Sequence, residues 1–175
     1  IVCPVISGLM VIDQKRAHER ILFERFIEIL GSDRSVSQSE LFPVIRAINP
    51  ADLLIIREIE KELNIIGFRF GFPDEKSIEI KGRPSGTEDS DPGELLEILI
   101  EDYKNSLSDP STGAREKIAS AMASAAAIPY GKSLSQDEME NLFDLLFACR
   151  APNYSPKGRA VISILTLEEI DKRFK

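Results

Sequence analysis

The sequence predicts an α+β protein with two subdomains: a discontinuous outer α/β subdomain (residues 1–33 and 117–175) and an inserted inner α+β subdomain (residues 34–116). The first observation is the order of elements. They run strand-strand-helix, then a mixed block, then helix-helix-strand-helix. The second is charge, since the net charge is −1 over the first segment, −7 over the middle and +1 over the last. The third is the absence of any internal repeat or low-complexity tract.

Composition is that of an ordinary globular protein. The chain has 175 residues with 43% apolar composition, and no apolar run reaches the ~20 residues that span a bilayer. No signal peptide is recognised, and the start without Met indicates a domain excised from a longer protein. Cys3 and Cys149 are interpreted as small apolar residues rather than a disulfide. Together with the single His18 they leave few ligands for a zinc ion.

The first third of the chain predicts a hairpin and a helix. "IVCPVI" and "LMVID" are two strands around a Ser7-Gly8 turn, and Pro4 indicates an edge strand. Asp13 ends the second strand and can cap the helix that follows. Gly31 is expected to stop that helix. A short strand is predicted over residues 41–46.

The rest of the chain carries clear local signals. A helix opens with Asn49 as N-cap and Pro50 at its first position. "GFRFGF" and "SIEIKG" alternate like strands, and "RPSGTEDSDPGE" is a flexible acidic loop. "ELLEILIEDYKNSL" and "AREKIASAMASAAA" are helices. "SQDE" (135–138) and "TLEE" (166–169) are helix-capping signatures on either side of the strand "AVISIL".

The stretch "DQKRAHERILFE" holds three acids, Asp13, Glu19 and Glu24. On a helix, Glu19 and Glu24 lie roughly 140° apart, so they do not face one point. Arg20 and Glu24 stand at i,i+4, as do Lys15 and Glu19, which is typical of a solvated helix face. The residues alone therefore favour a charged surface over a catalytic centre.

The same stretch resembles the endonuclease motif DQHAxxExxxxE of the C-terminal domain of MutL-type DNA mismatch-repair proteins. Asp13, Gln14, Glu19 and Glu24 match that motif. "LNIIGFRFGF", "SIEIKGRP" and "FACRAPNYSPKGRAVISILTLEEIDKRF" are similar to the family's middle and C-terminal segments, so the resemblance covers essentially the whole chain.

The resemblance also implies a degenerate metal site. Nuclease-competent members bind metal through Asp, His and Glu of the first motif, a Cys of an ACR-like motif, and the Cys and His of CPHGRP. Here the first His is Lys15, the ACR-like Cys is Ser124, and CPHGRP is "SPKGRA", with Ser155 and Lys157 in place of Cys and His. A hydroxyl binds such metals weakly and an ammonium repels them.

Two hypotheses about the acids follow. Lys15 or Lys157 is expected to form an ion pair with Asp13, Glu19 or Glu24 in place of a metal, the alternative being that both lysines are solvent-exposed. The retained acids could instead bind Mg²⁺ or Mn²⁺ through oxygen alone. We expect neither a catalytic residue nor a cofactor in this domain.

"QSELFP" fits Q-x-x-[LI]-x-P, a pattern with which family members dock on the replication sliding clamp. An extended peptide places Leu41 and Pro43 on one side, while Gln38 can set the register by hydrogen bonds and Phe42 completes the motif. The alternative is an ordinary strand with Leu41 and Phe42 in the core.

The function implied by the resemblance is a homodimerisation domain that performs no chemistry itself. It joins two chains whose N-terminal parts are ATPases, with the outer subdomain as dimer interface and the inner subdomain as regulatory insertion. The implied partners are the sliding clamp, the mismatch-recognition protein MutS and a separate nuclease or helicase. DNA is bound mainly through the full-length protein, in the cytoplasm at the nucleoid and without a membrane. Two alternatives stay open: a Mn- or Zn-dependent nicking endonuclease with an altered site, and an α+β interaction module unrelated to repair.

Overall fold

The computed structural model describes residues 1–32, 37–88 and 90–175, with only the backbone described for residues 37–42. Within these residues it is a mixed α+β protein with two small antiparallel sheets, so the predicted α+β class is confirmed. In chain order the elements are β1 (Val2–Val5), β2 (Gly8–Ile12), α1 (Gln14–Ser32), β3 (Ser37–Ala47), α2 (Pro50–Glu58), α3 (Glu60–Ile66), β4 (Arg69–Asp74), β5 (Ser77–Pro84), α4 (Pro92–Ser106), α5 (Ala114–Ala126), α6 (Gln136–Ala148), β6 (Ile162–Thr166) and α7 (Leu167–Lys172).

The chain divides into two compact units. The outer unit comprises Ile1–Leu22 and Ala127–Lys175, and the inner unit is Phe23–Ala126. The discontinuous arrangement resembles the predicted subdomains, but the joins lie after residues 22 and 126 rather than 33 and 116. The first join falls inside α1, which continues as a single helix to Ser32. The second follows α5, which packs against α4 in the inner unit.

The outer unit is built on the sheet β1-β2-β6, in which both pairings are antiparallel. Proline has no backbone N–H to donate to a neighbouring strand. Pro4 lies in β1, which is an edge strand as predicted. One face of the sheet is buried against α1 and α6. Its core contains Ile12, Ala17, Leu142, Leu146 and Val161.

Gly8 is the first residue of β2 rather than part of the turn. The two turn residues are Ile6 and Ser7, and Gly8 pairs with Val5 on one side and Thr166 on the other. Its φ is 149°, and a Cβ at this position would lie 2.1 Å from the carbonyl oxygen of Leu165. Glycine is therefore required because β6, a strand far away in the sequence, approaches the backbone closely here.

Helix α1 begins at its predicted cap but ends one residue after the predicted stop. The Oδ1 of Asp13 accepts the backbone N–H of Arg16 at 3.0 Å, so the predicted cap is confirmed. The helix runs through Gly31 to Ser32 instead of stopping at the glycine. A Cβ at Gly31 would meet nothing within 4 Å, so packing does not require glycine there.

The inner unit pairs β3-β5-β4 in that order, and α4 packs against β3 and β5. The predicted strands β4 and β5 and the cap of α2 by Asn49 are confirmed, since the Asn49 side chain accepts the N–H of Asp52. The single helix predicted after Pro50 is divided at Ile59, which is buried between α2 and α3. Side chains from both sheet and helices form the core of this unit; the largest fully buried ones are Leu30, Ile56, Leu63, Ile66, Phe68, Ile78, Ile80, Leu95, Leu99, Ile118 and Met122.

Both predicted capping boxes are confirmed. Ser135 caps α6 and exchanges hydrogen bonds with Glu138, and Thr166 does the same for α7 with Glu169. The backbone N–H of Ser135, followed by its hydroxyl, holds the pKa of Glu138 below its ordinary value. The backbone N–H and hydroxyl of Thr166 lower the pKa of Glu169 in the same way. The ionised carboxylate is thus part of each cap.

None of the helices in the described ranges combines the length and apolar character needed to cross a membrane.

The contrast between Gly8 and Gly31 yields a matched stability test. Gly8→Ala should lower the free energy of unfolding by more than about 1 kcal/mol, because its Cβ would collide with the backbone of β6. Gly31→Ala should raise it by roughly 0.5–1 kcal/mol, because alanine favours a helix and the surrounding space is open. Urea denaturation followed by circular dichroism measures both. Equal effects of the two substitutions would contradict the assignment of Gly8 to the sheet.

Candidate functional site

Asp13, the first acid of the motif, lies at the start of α1 with both carboxylate oxygens in contact with neighbours. Besides the cap at Oδ1, its Oδ2 lies 3.2 Å from the Nε of Arg16 and accepts the Tyr130 hydroxyl at 3.4 Å. Its backbone N–H donates to the carbonyl of Val161 at 2.9 Å. A guanidinium therefore provides the positive charge at this carboxylate.

The segment "SPKGRA" forms a tight turn beside α1. Ser155 is buried, and its Oγ accepts the backbone N–H of Arg159 at 3.2 Å. The N–H of Ser155 donates to the Arg159 carbonyl at 2.8 Å, and Gly158 has a φ of 73° that closes the turn. The Ser155 oxygen, which the resemblance predicts at the family's Cys position, thus stabilises the backbone of this turn.

Two arginines of α1 hold this loop, residues 153–161, against the helix. Arg16 donates from Nη1 to the carbonyl of Ala160 at 2.9 Å. Arg20 donates from Nε to the carbonyl of Tyr154 at 2.6 Å. Both arginines therefore position the loop as well as carrying charge.

A second loop, residues 128–133, flanks the same turns of α1. The side-chain amide of Gln14 donates to the Lys132 carbonyl at 2.8 Å. The Nζ of Lys15 lies 5.4 Å from the centre of the Tyr130 ring, within the range of a cation–π contact. We call residues 13–20 together with loops 128–133 and 153–161 the α1 site.

His18 is partly buried and packs beside loop 128–133. Its Nδ1 accepts the backbone N–H of Ile128 at 3.0 Å. An imidazole that accepts at Nδ1 and is neutral carries its proton on Nε2, so its ring nitrogens do not offer a lone pair to a metal ion. This histidine fixes the start of loop 128–133 to the helix.

The structure distributes the predicted motif residues between the two units. The outer unit contains Asp13, Gln14, Lys15, Glu19, Ser155 and Lys157, whereas the inner unit contains Glu24 on α1 and Ser124 on α5. Among residues 1–32, 37–88 and 90–175, no group of three or more His, Cys, Asp or Glu side chains is arranged to hold a metal ion.

The predicted clamp motif lies largely outside the described side chains. Those of Gln38, Leu41 and Phe42 are not described, and Pro43 is exposed. The backbone of this segment belongs to β3, an edge strand of the inner sheet. Its register with β5 shifts between Ser39 and Val44, where the E-L-F-P part of the motif is located.

Sequence reasoning missed the residues that shape the α1 site. Arg16 and Arg20 hold loop 153–161, and Tyr130 contacts both Asp13 and Lys15. The local signal for the two loops is a glycine next to a lysine in "YGKS" and "PKGR", which is typical of exposed turns.

Comparisons with known proteins agree with the motif. The family model described as "MutL C terminal dimerisation domain" matches residues 1–134. Proteins named DNA mismatch repair protein MutL are 38% identical in Bacteroides fragilis (strain YCH46) and 37% identical in Parabacteroides distasonis, in both cases over all 175 residues. The protein of that name in Flavobacterium psychrophilum is 34% identical over 174 residues, 99% of the chain. The chain spans 28% of the length of each of these relatives.

Proposed function

Because the chain belongs to the family of MutL C-terminal dimerisation domains, we propose that it forms a homodimer through its outer unit. The dimer joins two longer chains, and so raises the effective concentration of the ATPase regions that the resemblance implies for them. The single observation that carries the dimer is the outward face of the sheet β1-β2-β6.

This sheet is apolar on both faces. Side chains alternate along a strand, so Met10 and Ile12 point into the core and Leu9 and Val11 point away from it. The register places Val2 opposite Val11 and Leu165 opposite Leu9, on that outward face. Val2 is 61% exposed and Val11 39% exposed.

Antiparallel sheets that face water on one side usually alternate apolar with polar residues. On the outward face, Ser163 is a polar side chain among Val2, Pro4, Leu9, Val11 and Leu165. A second copy of the same face would bury these side chains with no charged group to desolvate. A symmetric dimer through this face therefore accounts for its composition.

Charge placed on this face should separate the dimer. Val11→Asp would bury a carboxylate without a partner, so we expect the dissociation constant to rise at least about tenfold. The control is Leu54→Asp on α2 of the inner unit, where the leucine is 70% exposed, and it should leave the dimer unchanged. Sedimentation velocity over a concentration series measures both variants. A wild-type chain that stays monomeric at micromolar concentration would disprove homodimerisation. A dissociation constant that does not change with Val11→Asp would show that the dimer does not form through the outward face of the sheet.

We further propose that the domain itself performs no chemistry. The support is the set of contacts in the α1 site: Asp13 pairs with Arg16, His18 accepts from the Ile128 N–H, and Ser155 accepts within its own turn. Because these oxygen and nitrogen atoms already accept hydrogen bonds or pair with a cation, they fit a structural role better than a zinc-type centre, which needs several free thiolate or imidazole ligands. The alternative is nicking of DNA supported by Mn²⁺ on the retained carboxylates.

Incubation with supercoiled DNA and Mn²⁺ tests this alternative. We expect no more nicked circles from the wild-type chain than from Asp13→Ala, because Arg16 already neutralises that carboxylate. Asp137→Ala, an exposed acid on α6, controls for contaminating nuclease. Nicking that is lost with Asp13→Ala but kept with Asp137→Ala would show instead that the domain is an endonuclease.

That a lysine ammonium takes the place of the family's metal ion is also a proposal. The described contact of the Lys15 ammonium is the Tyr130 ring, and the described cation at Asp13 is Arg16. Pairing of Lys15 or Lys157 with Asp13, Glu19 or Glu24 stays a prediction. A double-mutant cycle on Lys157 and Glu19 measures it, and a coupling energy near zero would argue against that pair.

We also propose that the inner unit docks on the replication sliding clamp through "QSELFP". The support is its place on the edge strand β3, at the register shift between Ser39 and Val44. An edge strand leaves one side of its backbone without a sheet partner, and an irregular register loosens the other side. Both features favour presentation of an extended motif to a groove on a partner.

The clamp prediction compares variants inside and outside the motif pattern. Gln38→Ala with Pro43→Ala should weaken binding to the purified clamp at least about tenfold, because it removes the register-setting amide and the apolar anchor. Ser39→Ala with Glu40→Ala changes only the variable positions and should bind like the wild type. Surface plasmon resonance measures the affinities. Equal binding by all three proteins would rule the motif out.

The remaining family partners belong to the same proposal. The proposed partners are MutS and a separate nuclease or helicase that makes or uses the strand break. The proposed site of action is the cytoplasm, at the nucleoid. The inner unit, with 20 acids and 12 bases over residues 23–126, is the proposed regulatory insertion.

A further inference from the structure

We propose that a cleft in the inner unit docks an extended basic segment of a partner protein. The cleft lies between the end of β3, the start of α2 and one side of α4, and its volume is about 490 Å³. It belongs wholly to the inner unit and contains no residue of the clamp motif or of the sheet β1-β2-β6. A partner docked there is therefore distinct from both the second copy and the sliding clamp.

Two ion pairs hold α4 at the ends of the cleft. At the start of the helix, Arg46 of β3 donates from Nη2 to the two carboxylate oxygens of Asp91, at 3.0 and 2.9 Å. In the last turn, the ammonium of Lys104 pairs with the carboxylate of Asp52 on α2. The cations that line the cleft, Arg46 and Lys104, are thus each engaged by a carboxylate.

Two further carboxylates on the wall of the cleft have no cation partner within the described part of the chain. They belong to Glu97 and Glu101 of α4, which stand at i,i+4 and are both exposed. Like charges at this spacing repel each other, and a bound cation removes that repulsion. The inner unit as a whole holds 20 acids and 12 bases, which adds to the attraction of a positive ligand.

The interior of the cleft is apolar. Ile56, Ile78, Leu96 and Ile100 line it, and none of them is more than 4% exposed. A ligand that fits both the interior and the carboxylates needs an aliphatic stem with a positive end. Lysine and arginine side chains have this construction, because their methylene groups cover apolar surface while the charged end stays at the polar rim.

The spacing of the two free carboxylates suits an extended peptide. Residues i and i+4 of a helix are separated by about 6 Å along its axis. Alternate residues of an extended chain point to the same side and are about 7 Å apart. Two lysines or arginines at alternate positions of one peptide can therefore reach Glu97 and Glu101 together. A nucleic acid is excluded by its own negative charge.

Fluorescence anisotropy of the 175-residue chain with a labelled peptide tests the cleft. The probe is a peptide of about 12 residues in which Lys alternates with Ala, at about 150 mM salt, where distant charges are screened. Glu97→Gln with Glu101→Gln should weaken binding at least about fivefold, because it removes both free carboxylates. The same peptide with Glu in place of Lys should not bind.

The matched control is Glu28→Gln with Glu75→Gln. It makes the same change of net charge in the same unit, at two exposed acids outside the cleft. We expect it to change the affinity less than about twofold. Equal losses in the two double variants, or no binding of the lysine peptide by the wild-type chain, would overturn the proposal.

A third variant should change the affinity in the opposite direction. Lys104→Gln removes the cation that engages Asp52 and so leaves a third carboxylate free in the cleft. Binding of the lysine peptide should become at least about threefold tighter. Lys61→Gln, an exposed lysine outside the cleft, is the control for net charge. An affinity that falls with Lys104→Gln, or rises no more than with Lys61→Gln, would overturn the cleft as the site.

Two further measurements identify the occupant. Spermidine that competes with the peptide at equal or lower concentration would assign the cleft to small polyamines and overturn a protein partner. Gln38→Ala with Pro43→Ala should bind the lysine peptide like the wild type, since neither residue lines the cleft. Loss of peptide binding in that variant would place the peptide on the clamp motif and overturn the cleft. Weak clamp binding with normal peptide binding would support both sites separately.

Discussion

The antiparallel pairing of β2 with β6 is the constraint on which the outer unit depends. It places Ile12 opposite Ile162, and so joins segments separated in the chain by the whole inner unit. Closing a loop of that length costs on the order of 4 kcal/mol in chain entropy. The strand ladder and the burial of Leu142, Leu146 and Val161 around Ile12 offset this cost. Gly8 belongs to the same constraint, because any side chain there would collide with Leu165.

The same pairing assembles the α1 site. Asp13 follows β2 directly and Val161 precedes β6, so the hydrogen bond from the Asp13 N–H to Val161 continues the ladder beyond the sheet. Loop 153–161 is thereby held beside α1. Once there, the polar atoms of Asp13, His18 and Ser155 are engaged in caps, turns and an ion pair.

Local chemistry explains which sequence predictions the structure confirms. The caps at Asp13, Asn49, Ser135 and Thr166 each involve a side chain and a backbone N–H within three residues, so a short pattern is sufficient to predict them. The interpretation of Gly8 as a turn residue was wrong, because its reason lies in β6. Gly31 is not the last residue of α1, which extends one residue further to Ser32, since a glycine in an exposed helix costs only about 1 kcal/mol.

The amino-acid sequence by itself determined the α+β class, the starts of the helices capped by Asp13, Asn49, Ser135 and Thr166 and, through the spacing of the motif, membership of the mismatch-repair family. Only the tertiary structure decided that Tyr130 contacts both Asp13 and Lys15. It also decided which apolar side chains of β1, β2 and β6 enter the core and which stay exposed on the outward face. The physical reason is range. Caps and motif spacing are set within a few residues, whereas ring contacts, strand register and face burial depend on residues more than 100 positions apart.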